Sequence, residues 1–182
     1  PNNPTFRGGK YGTGLTFDGV NDYAVTSTPF YDTVANPKLS YGLWVNFKTL
    51  SNWGIAGKTN LSNAGGQRDW LLFTVMGGNS FACEFNSTSG LQYGSYVNIS
   101  FNTWINIYCV QNNSRILTYL NGELMSNDAF TGSQNARSYP ISLGSYDGGG
   151  ASCNCSIDDF NLYYNYALSS AEVKELYKTS LT

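Results

Sequence analysis

The chain has 182 residues, enough for one domain that buries its own core. Ten basic and twelve acidic residues leave a net charge of −2, and charged residues make up only 12% of the chain. No Lys/Arg cluster is present to form a nucleic-acid surface, and the absence of histidine removes the usual general base, the commonest zinc ligand and every His-dependent triad.

The polar content is rich in Asn, Ser, Thr, Gly and Tyr, a mix that fits an extracellular protein or a cell or virion surface. No apolar run approaches 18 residues, so membrane insertion is not expected. The chain opens Pro1-Asn2-Asn3-Pro4 without Met or a charged-then-apolar leader, and reads as a processed product or an excerpt. Residues 1–10 are expected to be a lead-in or linker, and residues 11–182 the domain.

In chain order, the first signal is "GLTFDGVNDYAVTS", Gly14 to Ser27, with two strand-like runs around an Asp-Gly turn that carries Asp18 and Asp22. Asp makes such turns and caps such loops without help from a metal. In "LSYGLWVNFK" the residues Leu39, Tyr41, Leu43, Val45 and Phe47 share one face, at strand period. Trp53 lies in "LSNWGIAG", where less core is evident for a large ring. Arg68 precedes "DWLLFTVM", and "SFACEF", "LQYGSYVNI", "TWINIYCVQ", "RILTYLNG" and "PISLGSY" continue the alternation between Asn, Gly and Ser clusters. About eleven short strands predict an all-β, antiparallel two-sheet jelly-roll sandwich.

Tyr146 and Asp147 lead into a Gly-rich loop, and Asp158 and Asp159 follow on a strand, where alternation aims them at opposite faces. Counting on from Asp158 puts Phe160 and Leu162 on its face, so that carboxylate is expected on the apolar side. In "ALSSAEVKELYKTS", Ser169 and Glu172 form a capping box and Leu168 can staple onto Val173, which predicts one short C-terminal helix packed on the sandwich. Four cysteines, Cys83, Cys109, Cys153 and Cys155, allow three disulfide connectivities. Cys83 with Cys109 is the preferred pair, buried free thiols being the alternative. Five Asn-x-Ser/Thr sequons, starting at Asn60, Asn86, Asn98, Asn112 and Asn154, are about what chance gives in a chain with this much Asn.

Taken together, "GLTFDGVNDYAV", "LSYGLWVNF", "TWINIYCVQNNSRILTYLNGE" and "SIDDFNLYYNYALSSAEVKELY" resemble, in order and spacing, the laminin-G-like (LamG-type) branch of the concanavalin A-like lectin/glucanase superfamily. The resemblance runs from about Tyr11 to Tyr177. It implies a structural calcium near the meeting of the opening and closing strands, with Asp158 and Asp18 beside it, and the short turns around Asp18 and Asp22 could supply carboxylate and carbonyl oxygens to such an ion. It also implies packing roles for Trp44 and Trp104.

The superfamily's glucanases carry Glu-x-Asp-x-Glu on one strand. This chain has four glutamates, Glu84, Glu123, Glu172 and Glu175, none of them two residues from an Asp, so a retaining pair of carboxylates is not expected. Aromatic residues at 15%, with abundant amides and hydroxyls, suit the faces and edges of sugars. The reading is therefore a non-catalytic, lectin-like module whose partner is a glycan or polysaccharide, with Trp53, Arg68, Trp70, Tyr146 and Asp147 as candidate ligand-binding residues. The alternative is a protein-adhesion or display domain that meets other surface proteins.

Overall fold

The alternating run Leu39–Phe47 forms the central strand β4, and all nine of its residues are buried. In a computed structural model, which describes residues 3–49, 53–61, 67–74, 79–148 and 151–179, β4 lies between the last strand, β14 (Asn154–Tyr164), and β10 (Trp104–Gln111). The rest of this sheet continues outward from β14 through β2 (Thr13–Asp18) to β1 (Thr5–Gly8). On the other side it runs from β10 through β11 (Arg115–Leu120) to β12 (Glu123–Ala129). The expected lead-in thus contributes an edge strand.

The second sheet runs β3 (Ala24–Val25), β13 (Ile141–Leu143), β5 (Trp53–Thr59), β6 (Arg68–Thr74), β7 (Ser80–Ser87) and β8 (Gly90–Tyr93), with β9 (Val97–Asn98) also on β7. All of these strand pairings are antiparallel. The architecture is the expected sandwich, with "LQYGSYVNI" divided between β8 and β9. Between the sheets, Phe17, Tyr41, Leu43, Phe47, Ile55, Trp70, Leu72, Phe81 and Phe85 form one apolar core.

Cys83 and Cys109 are disulfide-bonded, as preferred, and Cys153 pairs with Cys155. The helix α1 (Ser170–Thr179) packs on the outer face of the first sheet, where Leu168 and Val173 join Tyr108, Val110 and Tyr119. Its capping box forms as expected: the Ser169 hydroxyl and N–H donate to Glu172 Oε2, and the Glu172 N–H donates to Ser169 Oγ.

One expectation is corrected in β14. Asp158 pairs with Trp44, whereas the next registered pair is Asn161 with Gly42, so two residues oppose one and Asp159 takes a positive φ of 48°. This bulge shifts the face count by one. Asp158 therefore lies on the outer side with Trp44, while Phe160 and Leu162 pack against the core. Its oxygens accept the N–H groups of Tyr11 and Asp159, each at 2.9 Å, which removes the need for an ion on an apolar face.

Candidate functional site

Across the second sheet, Gly57, Leu71, Glu84 and Tyr93 fall in one register row of β5, β6, β7 and β8. Their strand neighbours Trp70, Leu72, Cys83 and Phe85 face the core, so this row faces outward. Arg68, at the start of β6, lies over the row and forks onto Glu84. Nε donates to Oε1, and Nη2 donates to Oε2 at 2.8 Å. Both carboxylate oxygens are thereby used, in the paired geometry that makes Arg–carboxylate contacts strong.

Tyr146 brings its ring to 5.7 Å from the guanidinium carbon. The Ser145–Tyr146 backbone can lie this close because residue 54 is glycine, where a Cβ would sit 2.5 Å from the Tyr146 nitrogen. On the opposite wall, Tyr93 meets Phe73 edge to face at 5.9 Å. Tyr93 and Tyr96 are 42% and 60% exposed. The result is a cleft of about 170 Å³ lined by Arg68, Leu71, Phe73, Glu84, Tyr93, Tyr96 and Tyr146. This is smaller than the roughly 300–1,000 Å³ of pockets for drug-sized ligands, a size suited to one ring.

Burial raises the Glu84 carboxyl above its ordinary value, and Arg68 pulls part of that shift back. Burial also opposes the Arg68 charge, but Glu84 outweighs it and holds the guanidinium above its usual value. The more deeply buried carboxylate bears most of the desolvation. Burial, then the charge of Glu84, raises the Tyr93 phenol.

Of the candidate binding residues, the structure brings Arg68 and Tyr146 together. Trp70 is a correction: it is 1% exposed, stacks on Tyr41 at 4.4 Å between ring centres and belongs to the core, because the alternation of β6 turns residues 70, 72 and 74 inward. Asp147 closes its own loop, its Oδ1 accepting from the Ala151 N–H at 2.8 Å and the Ser145 hydroxyl at 3.0 Å. Trp53 opens β5, and its side chain lies outside the described residues. Sequence reasoning missed Glu84, Phe73, Tyr93 and Tyr96 as site residues; the alternation in "SFACEF", which sets Glu84 opposite in phase to Cys83, is the signal that could have found the first.

The expected calcium ligands fall in two places. Asp18 Oδ1 accepts the Val20 N–H at 2.8 Å and the Asn21 N–H at 3.4 Å, and Asp22 Oδ2 accepts the Asp18 N–H at 3.1 Å. The Val20 bond leads in holding the Asp18 carboxyl below its usual value. Asp18 pairs across the strands with Asn154, four positions from Asp158 and so about 13 Å away along β14. Among the described residues no three His, Cys, Asp or Glu side chains are placed to hold a metal ion. The three carboxylates therefore do not fit a single ion, and Asp18 and Asp22 serve first as turn acceptors.

A second polar cluster was not legible in the sequence. Lys58, 1% exposed, ion-pairs with Asp32 and, at 3.2 Å, with Asp69, and stands 5.3 Å from the Phe30 ring centre. Asp69 also accepts the Arg137 N–H at 2.8 Å and its Nη1 at 3.2 Å. Burial raises the Asp69 carboxyl against these partners. The cluster ties the loop carrying Asp32 to the second sheet.

Comparison with solved structures finds the same fold at low identity. The binding domain of Paraclostridial Mosquitocidal Protein 1 matches with a TM-score of 0.75 at 13% identity, over 97% of this chain and 45% of that one. The botulinum neurotoxin serotype D binding domain matches with 0.73 at 13% identity, over 99% and 47%. Domain 4 of AbnA, a GH43 extracellular arabinanase from Geobacillus stearothermophilus solved with arabinotriose, matches with 0.73 at 16% identity, over 97% and 82%. The chain spans about half the length of the two toxin binding domains. No curated protein matches it in sequence. A laminin G family model, described as concanavalin A-like lectin/glucanases superfamily, matches residues 18–174. With that match covering most of the chain, and with the two antiparallel sheets and closing helix in place, the chain belongs to the laminin-G-like branch of the concanavalin A-like lectin/glucanases superfamily.

Proposed function

We propose that this domain is a non-catalytic carbohydrate-binding module of a secreted or surface protein, and that it holds a sugar ring in the Arg68–Tyr146–Tyr93–Tyr96 cleft. The observation that carries this reading is the cleft itself, a ring-sized recess with the exposed rings of Tyr93 and Tyr96 on one wall, the half-buried Tyr146 on the other and the Arg68–Glu84 pair fixed between them. Tyrosine suits a sugar because its ring covers C–H faces while its hydroxyl bonds the rim. The likeness to an arabinanase domain solved with arabinotriose supports a glycan partner. Glu84 is the only carboxylate lining the cleft among the described residues, whereas glycoside hydrolysis uses two. Two disulfides suit an oxidising, extracellular setting. Calcium stays a proposal confined to the Asp18–Asp22 turn, where one oxygen of each carboxylate takes no bond from the described residues.

The test is a glycan and polysaccharide array probed with the wild type and with Tyr96→Ala. Specific binding that Tyr96→Ala loses while keeping the wild-type melting temperature supports the site; a blank array with folded protein refutes the reading.

A second reading, adhesion to another protein, draws on an apolar groove of about 210 Å³ lined by Ala24, Val25, Ile141, Leu143 and Phe160, with Phe6 78% exposed nearby. Self-association in sedimentation that disappears in Phe6→Ser is the expected sign.

A further inference from the structure

Arg68 and Glu84 are the only charged side chains lining the cleft among the described residues, and they neutralise each other through two hydrogen bonds. Resting on the glycan reading above, we infer that the site selects uncharged over carboxylated sugars, with the buried Glu84 as the residue that enforces the rejection.

An arginine in a sugar cleft ordinarily invites a carboxylate, because its planar fork matches that group. Here the fork is already taken. A uronic or sialic acid would bring a second carboxylate beside Glu84, which is 1% exposed, and would have to share or take the guanidinium that balances it. Stripping a buried carboxylate of its partner is strongly unfavourable. The opposite wall offers Tyr93 and Tyr96, whose rings stack on C–H faces and whose hydroxyls exchange hydrogen bonds, neither of which calls for charge on the ligand. Leu71 and Phe73 beneath them add apolar floor. Recognition between uncharged partners also carries little salt dependence.

The assignment is tested by calorimetric titration of the folded domain with matched pairs. Fully methyl-esterified, neutral polygalacturonan is compared with the unesterified acid form, and a neutral galactoside with its sialylated form, each at low and at high salt. The neutral member of each pair is expected to bind with an affinity unchanged by salt. The acidic member is expected to bind on the order of tenfold weaker or more, which corresponds to about 1.4 kcal/mol or more. Tighter, salt-sensitive binding of the acidic member overturns the inference and leaves the glycan reading standing; no binding by any sugar removes both.

Glu84→Gln supplies the second arm, since it keeps the side chain's shape and cancels its charge. Freed from its counter-charge, Arg68 should now accept the carboxylated sugar and narrow the gap between the paired ligands. A folded variant, checked by circular dichroism, whose gap stays as wide as that of the wild type shows that Glu84 does not enforce the selection and overturns its assignment.

Discussion

Cys83 of β7 and Cys109 of β10 join the two sheets through the middle of the core, with 5.7 Å between their Cα atoms and no exposure of either residue. The bond closes a chain segment of 26 residues, whereas Cys153–Cys155 spans two. On the loop-entropy relation the first is worth about 3.5 kcal/mol and the second about 1.2 kcal/mol. Urea unfolding of the Cys83→Ala/Cys109→Ala and Cys153→Ala/Cys155→Ala proteins should therefore show the larger loss for the first pair. The reverse order would mean that strain or residual unfolded structure outweighs loop closure.

Trp70→Ala should cost about 3–5 kcal/mol of stability, the usual range for emptying a large aromatic site. Tyr96→Ala, on an exposed ring, should change stability by no more than about 0.5 kcal/mol. Denaturant titration of the two variants side by side checks that one tyrosine serves the cleft and one tryptophan serves the core.

Lys58→Ala leaves Asp32 and Asp69 facing each other's charge without their shared cation, and removing one partner of a buried ion pair costs about 3–5 kcal/mol. Adding Asp32→Asn to that variant should recover part of the loss. A double variant no more stable than Lys58→Ala would show that lost packing, and not the stranded charge, sets the cost.

Glu84 gives stability a particular pH dependence. Its carboxyl is raised above 4.5, first by burial, so just above that pH the folded state keeps a proton that the unfolded chain has released. The folded state then binds more protons, and stability falls as pH rises through the window. The contribution is complete below pH 4.5 and gone once Glu84 ionises in the fold. Subtracting the unfolding free energy of Glu84→Gln from that of wild type isolates this group, and the difference should decline from pH 4.5 upward and then level off. A difference that grows with pH would mean that the attraction of Arg68 exceeds the desolvation.

Calcium at the Asp18–Asp22 turn should raise the melting temperature of chelator-treated protein by mass action on the folded state, and Asp22→Asn should abolish the rise. An unchanged melting temperature in wild type would leave these two carboxylates with turn closure alone.

Much of the fold was legible because its signals are local. The period-2 pattern of Leu39 to Phe47 became β4, and Ser169 with Glu172 became a capping box. The bulge after Asp158 was not legible, since a single residue at positive φ leaves no mark on composition, and it inverted the faces of everything counted past it. The site was half legible. Arg68 and Tyr146 drew notice beside turns and loops, whereas Glu84 and Tyr93 sit in strands and read as sheet-formers until their register is known, and Tyr96 sits in the short connection between β8 and β9. Trp70 misled for the same reason: a large ring near a strand start carries no label for which side it faces. Lys58 could not be found at all, because a lysine becomes a core residue only through the two acids that fold in from elsewhere.

The position of β14 also sets the order of events during synthesis. Leu39 pairs with Tyr164, so the most buried strand of the domain lacks one of its two neighbours until nearly the whole domain has left the ribosome. Folding must wait for that late segment, and pairings so distant in sequence place a sandwich of this kind among slow folders, on the order of milliseconds to seconds. Until β14 arrives, β4 presents a long apolar edge to anything nearby, and the nascent chain depends on its surroundings to keep that edge apart from other copies.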